Sequence, residues 1–255
     1  MVEQELDVAA RAWQTAMAHF TEAVPGGFHR VGARGTAELI SGVPLAMLNG
    51  VYCIAPTTDP DEVTDFVASP RLAGLPWSVQ VRDEAAAAQV ADVVAGLGFT
   101  RTAAQPFMTR ELAEDSLPWP EPGPLRIRVV GGGEREVYER TLSAGYGLPR
   151  EIAAPLTAPA VLDHPLMRAY VGEVDGVPVA TSFGIVVDGL VGIFNVSVPP
   201  AHRRRGYGRA LTAAAVRDGW SAGARTAFLH SSELGLPVYE EMGFAVRERW
   251  IAFTA

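Results

Sequence analysis

The chain has 255 residues, 48% of them apolar, with 21 Lys and Arg against 29 Asp and Glu and a formal charge of −8. This is the balance of a globular protein able to build one large core or two ordinary ones, and its acidity counts against nucleic acid or an anionic membrane surface as the main partner. Cys53 is the only cysteine, which leaves no internal disulfide, and the five histidines (19, 29, 164, 202 and 230) are too scattered for zinc spacing. The segment Met1-Val2-Glu3-Gln4-Glu5 is acidic where a signal peptide would be basic, and no apolar run reaches membrane-spanning length, so a cytoplasmic location is expected.

In chain order, Leu6, Ala9, Ala10, Trp13, Ala16, Met17 and Phe20 fall at helical spacing and predict a helix over 3–23, ended by Pro25-Gly26-Gly27. Strands are expected over 37–40 and 45–55, and a short helix from Asp59-Pro60-Asp61, where an aspartate cap and an early proline suit an N-terminus. A strand over 77–82, an alanine-rich helix over 83–96 and an extended segment over 100–112 follow. The run Ala-Glu-Asp-Ser-Leu-Pro-Trp-Pro-Glu-Pro-Gly-Pro at 113–124 reads as a connector between domains. Beyond it the pattern predicts a strand over 125–130, helices over 134–144 and 149–158, and a hairpin of 167–174 with 177–187 turning at Asp175-Gly176. A strand over 190–198, a helix over 204–220, a strand over 226–230, a helix over 237–242 and a strand over 245–253 complete the order. Both halves close with strand, helix and then Leu97-Gly98-Phe99 or Met242-Gly243-Phe244, the outline of a degenerate duplication.

The chemistry concentrates where the 190–198 strand gives way to Pro199-Pro200 and then to a helix that begins among three arginines. Cations at a helix N-terminus oppose the macrodipole, and Gly206 and Gly208 in the first turn cost helix propensity. An anion resting on free backbone N–H groups and backed by Arg203, Arg204 and Arg205 removes both anomalies. A phosphate or pyrophosphate is the natural ligand. The loop lacks the Gly-Lys-Ser/Thr ending of a nucleotide P-loop and the Gly-x-Gly-x-x-Gly of a dinucleotide site.

Arg203-Arg-Arg-Gly-Tyr-Gly208, between a strand and a helix, resembles the Arg/Gln-x-x-Gly-x-Gly/Ala hallmark of the GNAT (Gcn5-related N-acetyltransferase) superfamily. Residues 228–244 are similar to its second hallmark, a strand followed by Tyr-x-x-x-Gly-Phe, here Tyr239 to Phe244. The resemblance covers about 125–255. It implies an α/β (α+β) architecture of two GNAT-like units, each a mixed, mostly antiparallel twisted sheet flanked by helices. Residues 1–112 would be a degenerate unit without the pyrophosphate loop, 113–124 a linker and 125–255 the catalytic domain. It also implies acetyl-CoA as acyl donor, with the pyrophosphate on Arg203, Arg204, Arg205, Gly206, Tyr207, Gly208 and Arg209. The pantetheine arm would lie along Val196, Ser197 and Val198, with Ser232 at a position that often contacts the cofactor.

Amide formation from a thioester requires a neutral amine, an oxyanion donor and a proton for the departing thiolate. By the resemblance, Tyr239 supplies that proton, and a backbone N–H near Val198 faces the oxyanion. Histone-acetylating relatives carry a glutamate where this chain has Gly192. His230 and Glu233 are nearby titratable groups, and the base stays unassigned. Tyr146, in Ala144-Gly-Tyr-Gly-Leu-Pro149, is expected over the acceptor site. The expected activity is acetylation of a small-molecule primary amine by a monomer or homodimer, without nucleic-acid or membrane partners. Acetylation of a protein or peptide, and a non-catalytic acyl-CoA-binding regulatory module, are the alternatives.

Overall fold

The computed structural model describes residues 2–114 and 123–255, with the side chains of residues 2 and 3 left aside; most of the expected connector, 115–122, lies outside the described residues. The elements are α1 (Val2–Ala23), β1 (Phe28–Val31), β2 (Thr36–Ile40), β3 (Asn49–Cys53), α2 (Pro60–Val67), β4 (Ser78–Val81), α3 (Glu84–Gln89), α4 (Ala91–Gly96) and β5 (Arg101–Glu111). They continue with β6 (Arg126–Val130), α5 (Arg135–Tyr146), α6 (Arg150–Leu156), α7 (Pro159–Leu162), β7 (Met167–Val174), β8 (Val177–Val187), β9 (Leu190–Ser197), α8 (Tyr207–Ser221), β10 (Thr226–His230), α9 (Leu236–Glu241) and β11 (Ala245–Thr254). No helix of the described residues is long and apolar enough to cross a membrane.

The chain forms two compact units, each a mixed, mostly antiparallel sheet flanked by helices. The first comprises Met1–Met108 with Ser231–Leu234 and Val246–Ala255; the second comprises Thr109–His230 with Gly235–Ala245. Nearly all of β11, at the end of the chain, therefore groups with the first unit, where it pairs antiparallel with β4 through Ile251 and Val81.

In the first unit the strands run β1-β2-β3-β4-β11-β5. β1 escaped the sequence reading because its four residues are half-buried or exposed and carry no alternating apolar face. β3 starts later than expected, since Ala46–Leu48 forms a 3-10 turn. The helix expected over 83–96 breaks at Val90, which has φ −103° and ψ 5°. Trp13 on α1 packs edge-on to Trp250 of β11 at 4.9 Å, and Phe107 of β5 stacks on Trp250 at 5.1 Å. Beside these rings Arg82 is almost fully enclosed. Its guanidinium donates to Glu248 at 2.6 and 3.0 Å, to Asp7 at 2.6 Å and to the Ile54 carbonyl at 3.2 Å. The Trp250 indole N–H also donates to Glu248, at 2.8 Å.

In the second unit the order is β10-β9-β8-β7-β6, antiparallel except for the parallel β9–β10 pair. Joining two parallel neighbours demands a crossover, which α8 provides. α8 buries Tyr207, Ala210, Leu211, Ala213, Ala214, Ala215 and Val216. Gly219 allows the closest approach, since a Cβ there would stand 2.6 Å from Val191. Ser182 of β8 locks the layers by donating to the Leu211 carbonyl at 2.9 Å. The helix expected over 149–158 ends at Leu156, and Pro159 opens the separate helix α7.

Replacing Arg82 by Met leaves the carboxylates of Glu248 and Asp7 without their cation. A loss of about 3–5 kcal/mol is expected on breaking such a buried pair from one side. Urea unfolding followed by tryptophan fluorescence, with Trp13 and Trp250 as reporters, measures it.

Candidate active site

Strand β9 carries a bulge on its way to the loop. Phe183 faces Phe194 and Thr181 faces Ser197, so three steps on β9 span two on β8. Asn195 takes up the extra residue in the left-handed region at φ 51°, and its carbonyl accepts the Thr181 hydroxyl at 2.9 Å. The bulge shifts the register of the strand end, where Ser197 still faces Thr181 of β8, and the pairing of β9 with β10 runs from Leu190 to Gly192. Upstream, Gly192 lies against the edge-to-face pair Phe194 and Phe228, and a Cβ there would stand 2.6 Å from both rings. No carboxylate side chain fits at that position.

The loop after β9 makes a 3-10 turn over Pro200–His202 and then twists, with Arg204 at φ 65° and Gly206 at φ 78°. Left-handed residues close together turn successive N–H groups toward one concavity, a geometry that binds anions. α8 begins at Tyr207, not at 204 as the sequence predicted, because these left-handed residues cannot be helical. Gly206 occupies the N-cap without a side-chain cap, so the first-turn N–H groups lack an intrahelical partner. Arg204 and Arg205 are exposed and form no ion pair among the described residues. Gly208 passes the strand end closely enough that a Cβ would touch Val196 and Val198 at 3.7 Å.

Two other arginines of the sequence motif are engaged elsewhere. Arg203 donates through Nε to the Val198 carbonyl and through Nη2 to the Gly145 carbonyl, both at 3.0 Å. Arg209 pairs with Glu241 of α9. Tyr207 is buried, so only its backbone faces the loop.

The C-terminal end of α5 closes the other side. At Gly145 a Cβ would stand 1.8 Å from Ser197 Oγ and 3.0 Å from the Val198 nitrogen, so only glycine permits this approach. Ser197 itself is buried and donates to the Leu142 carbonyl at 3.4 Å. Tyr146 is the last residue of α5, and Gly147 ends the helix in the left-handed conformation at φ 68°. Tyr146 keeps 51% of its surface open, yet the protein walls around it push its phenol up to about 12. Tyr146 lies near enough to Tyr138 and Tyr239 to raise the phenols of both. Tyr138 is fully buried and donates to the Ser182 carbonyl at 3.2 Å.

Tyr239 stands on α9, its ring edge-on to Phe244 at 6.0 Å. Desolvation first, and Tyr146 second, hold its phenol well above the ordinary range, whereas the Thr212 hydroxyl pulls it down. It is therefore protonated throughout the physiological range, as a proton donor must be. His230, at the end of β10, is pushed down to about 3 by burial. A neutral imidazole that weakly basic is a poor general base. Glu233 is exposed, with Arg249 at 3.7 Å. No group of three His, Cys, Asp or Glu among the described residues could hold a metal ion.

The second unit thus brings together Val196, Ser197, Val198, Arg203, Arg204, Arg205, Gly206, Tyr207, Gly208, Arg209 and Tyr239, while Ser232 falls in Ser231–Leu234, grouped with the first unit. The sequence reading passed over Gly145, Tyr138 and Thr212. The Ala-Gly-Tyr-Gly run was a signal for the first, and a lone hydroxyl among the alanines of α8 for the last. Asp163 accepts the Gly132 N–H at 2.7 Å and has a structural role.

Residues 135–244 match the profile of the acetyltransferase (GNAT) family. Over those residues the chain is similar to the GNAT acetyltransferases, transferases that use acetyl-CoA. A GCN5-related N-acetyltransferase from Kribbella flavida superposes with a TM-score of 0.68 at 23% identity, over 95% of each chain. A conserved protein of unknown function from Staphylococcus epidermidis gives 0.64 at 14% identity, over 89% of this chain and 94% of that one. A GCN5-related N-acetyltransferase from Sphaerobacter thermophilus gives 0.56 at 22% identity, over 71% and 60%. At these identities the likeness is one of fold. A search of curated proteins found no match.

Two outcomes follow from the site geometry. Gly145→Ala forces a Cβ onto Ser197, at an expected cost of about 1–3 kcal/mol for overpacking, and displaces Val198; thermal unfolding beside a CoA titration reads both effects. His230, neutral when folded, takes up a proton more readily when unfolded, so stability should fall as pH drops from about 6.5 toward 3. His230→Phe should flatten part of that slope in urea titrations across the range.

Proposed function

We propose that the second unit transfers acetyl from acetyl-CoA to a primary amine of a small molecule. The observation that carries this reading is the start of α8: uncapped N–H groups, a left-handed turn at Arg204 and Gly206, and two arginines without ion pairs among the described residues, beside a bulged strand end and a protonated tyrosine. These residues fit a pyrophosphate. Backbone N–H groups of 204–209 donate to it, and Arg204 and Arg205 neutralise its charge. Arg203 holds the loop to the strand end and to α5 without needing to touch the ligand.

Acetyl-CoA supplies an acyl group activated as a thioester. Val196–Val198 offer released backbone groups along which an extended pantetheine arm can pair, with the Val198 N–H directed to the carbonyl oxygen. Tyr239 gives its proton to the departing sulfur and recovers one from solvent. With His230 held neutral at low basicity and a glycine at 192, no dedicated base is assigned; the amine enters neutral and loses its proton to water. Tyr146, half-exposed at the end of α5, stands at the acceptor side with Tyr138 buried behind it, which favours a compact amine over a peptide. We also read 1–112 as a degenerate copy. Its parallel β3–β4 pair brackets α2 as β9–β10 brackets α8, but there the Asp59 carboxylate caps the helix by accepting the Glu62 N–H at 2.9 Å, leaving less for an outside anion. The protein is expected to work in the cytoplasm as a monomer or homodimer, without nucleic-acid or membrane partners.

Thiol release from acetyl-CoA against a panel of amines, antibiotics and peptides tests this, beside calorimetric titration of CoA. Turnover with a small amine and one CoA per chain are expected. Tyr239→Phe should lower kcat by about 10²-fold or more with CoA affinity within about twofold. Arg204→Ala with Arg205→Ala should weaken CoA binding about tenfold or more. Absence of CoA binding overturns the reading, and binding without release from any acceptor points to a regulatory module.

A further inference from the structure

Tyr138, Leu142 and Gly145 recur at i, i+4 and i+7 along α5 and so share one face of the helix. All three meet the strand pair where β9 bulges. Tyr138 donates to the Ser182 carbonyl of β8 at 3.2 Å, the Leu142 carbonyl accepts the Ser197 hydroxyl of β9 at 3.4 Å, and Gly145 makes room for Ser197 and Val198. Ser182 is also the residue that the bulge passes over. Thr181 faces Ser197 and Phe183 faces Phe194, so Asn195 and Val196 together stand opposite it. α5 packs on the Phe183 face of β8 and α8 on the Gly184 face. From that second face the Leu211 carbonyl accepts the Ser182 hydroxyl at 2.9 Å. The bulge is gripped from both sides.

Two buried hydroxyls serve this grip, one for each side of the bulge: Tyr138 bonds to the Ser182 carbonyl, and Thr181 to the Asn195 carbonyl at 2.9 Å. Both residues are at 0% exposure. Phenylalanine and valine would fill the same space without a polar atom to satisfy, and a regular ladder needs neither hydroxyl, since the neighbouring strand meets its carbonyls. Asn195 stands at φ 51°, a backbone that persists where its surroundings fix it. Toward β10 the strand end has no ladder to guide it, because that pairing stops at Gly192. The direction of the Val198 N–H is therefore set by the bulge, three residues upstream.

We propose that Tyr138 and Thr181 are positioning residues for acyl transfer: their hydroxyls pin the two sides of the bulge and so aim the Val198 N–H at the thioester carbonyl oxygen. This rests on the acetyl-transfer reading of the site. Neither side chain touches the reacting atoms. As the amine nitrogen bonds to the acyl carbon, negative charge gathers on that oxygen; it disperses when the carbon–sulfur bond breaks, the sulfur takes the Tyr239 proton and the amine sheds one to water. A donor slightly out of place loses much of its effect on that charge. Loosening the bulge therefore slows the chemical step more than it weakens cofactor binding, which depends on the loop at 204–209.

The test compares Tyr138→Phe, Thr181→Val and Thr181→Ser with the natural chain by thiol release with one amine that turns over, by calorimetric titration of CoA and by thermal unfolding. Well below their melting temperatures, Tyr138→Phe and Thr181→Val should each lower kcat about tenfold, with CoA affinity within about threefold of the natural value. Thr181→Ser keeps a hydroxyl and should bring kcat back to within about threefold. Combined, Tyr138→Phe and Thr181→Val should cost less than the product of their separate effects, because both hold one element. If the two variants melt earlier yet turn over like the natural chain, the hydroxyls serve stability alone and the proposal is overturned. It is overturned too if serine is as impaired as valine, or if CoA affinity falls in step with kcat. CoA binding by the natural chain without thiol release from any amine would instead remove the acetyl-transfer reading, and this proposal with it.

Discussion

The junction of Gly145, Val198 and Arg203 is the constraint on which the rest of the site depends. α5 can rest on the end of β9 only because residue 145 has no side chain. The guanidinium of Arg203 then spans the gap, one nitrogen on the carbonyl of Val198 and another on that of Gly145. These charge-assisted bonds fix the course of the loop before any ligand arrives. Three features inherit their positions from it: the released strand end, the left-handed turn that opens α8, and Tyr146 at the last turn of α5. Arg203, expected at a phosphate, braces the loop, while Arg204 and Arg205 form no ion pair among the described residues.

The site is held in a conformation costly by local rules. Asn195 and Arg204 are non-glycine residues at positive φ, each unfavourable by about 1–2 kcal/mol relative to the ordinary helical region. The helix N-terminus has no side-chain cap and faces positive charge, contrary to the macrodipole. Thr212 is buried with its hydroxyl unsatisfied. Departures of this kind gather where an external group completes the structure. Here all four lie on β9, α8 and the loop joining them, and the remainder of the second unit follows the usual rules of burial and pairing.

The first unit obeys those rules more closely. α2 has its aspartate cap, Glu62 accepts the N–H groups of Arg34 and Thr36, and the enclosed Arg82 has a full set of acceptors. The closing strand β11 supplies Glu248 and Trp250 to this core. Residues 246–255 therefore complete the unit formed by the first hundred.

What the sequence determined by itself was local. Apolar spacing along α1 and α8, the Asp175-Gly176 turn and the order of strands and helices in 125–255 were legible because each rests on contacts within a few residues. The arginine–glycine loop and the Tyr239-to-Phe244 segment were legible as motifs, and the family profile over 135–244 agrees with them. The missed strand β1 has no apolar face to reveal it, and the start of α8 was misplaced because the left-handed backbone at Arg204 leaves no compositional mark. The bulge at Asn195, the bracing role of Arg203 and the low basicity of His230 were decided only by tertiary structure. Each depends on burial or on the meeting of residues far apart in the chain, and neither spacing nor composition records those distances.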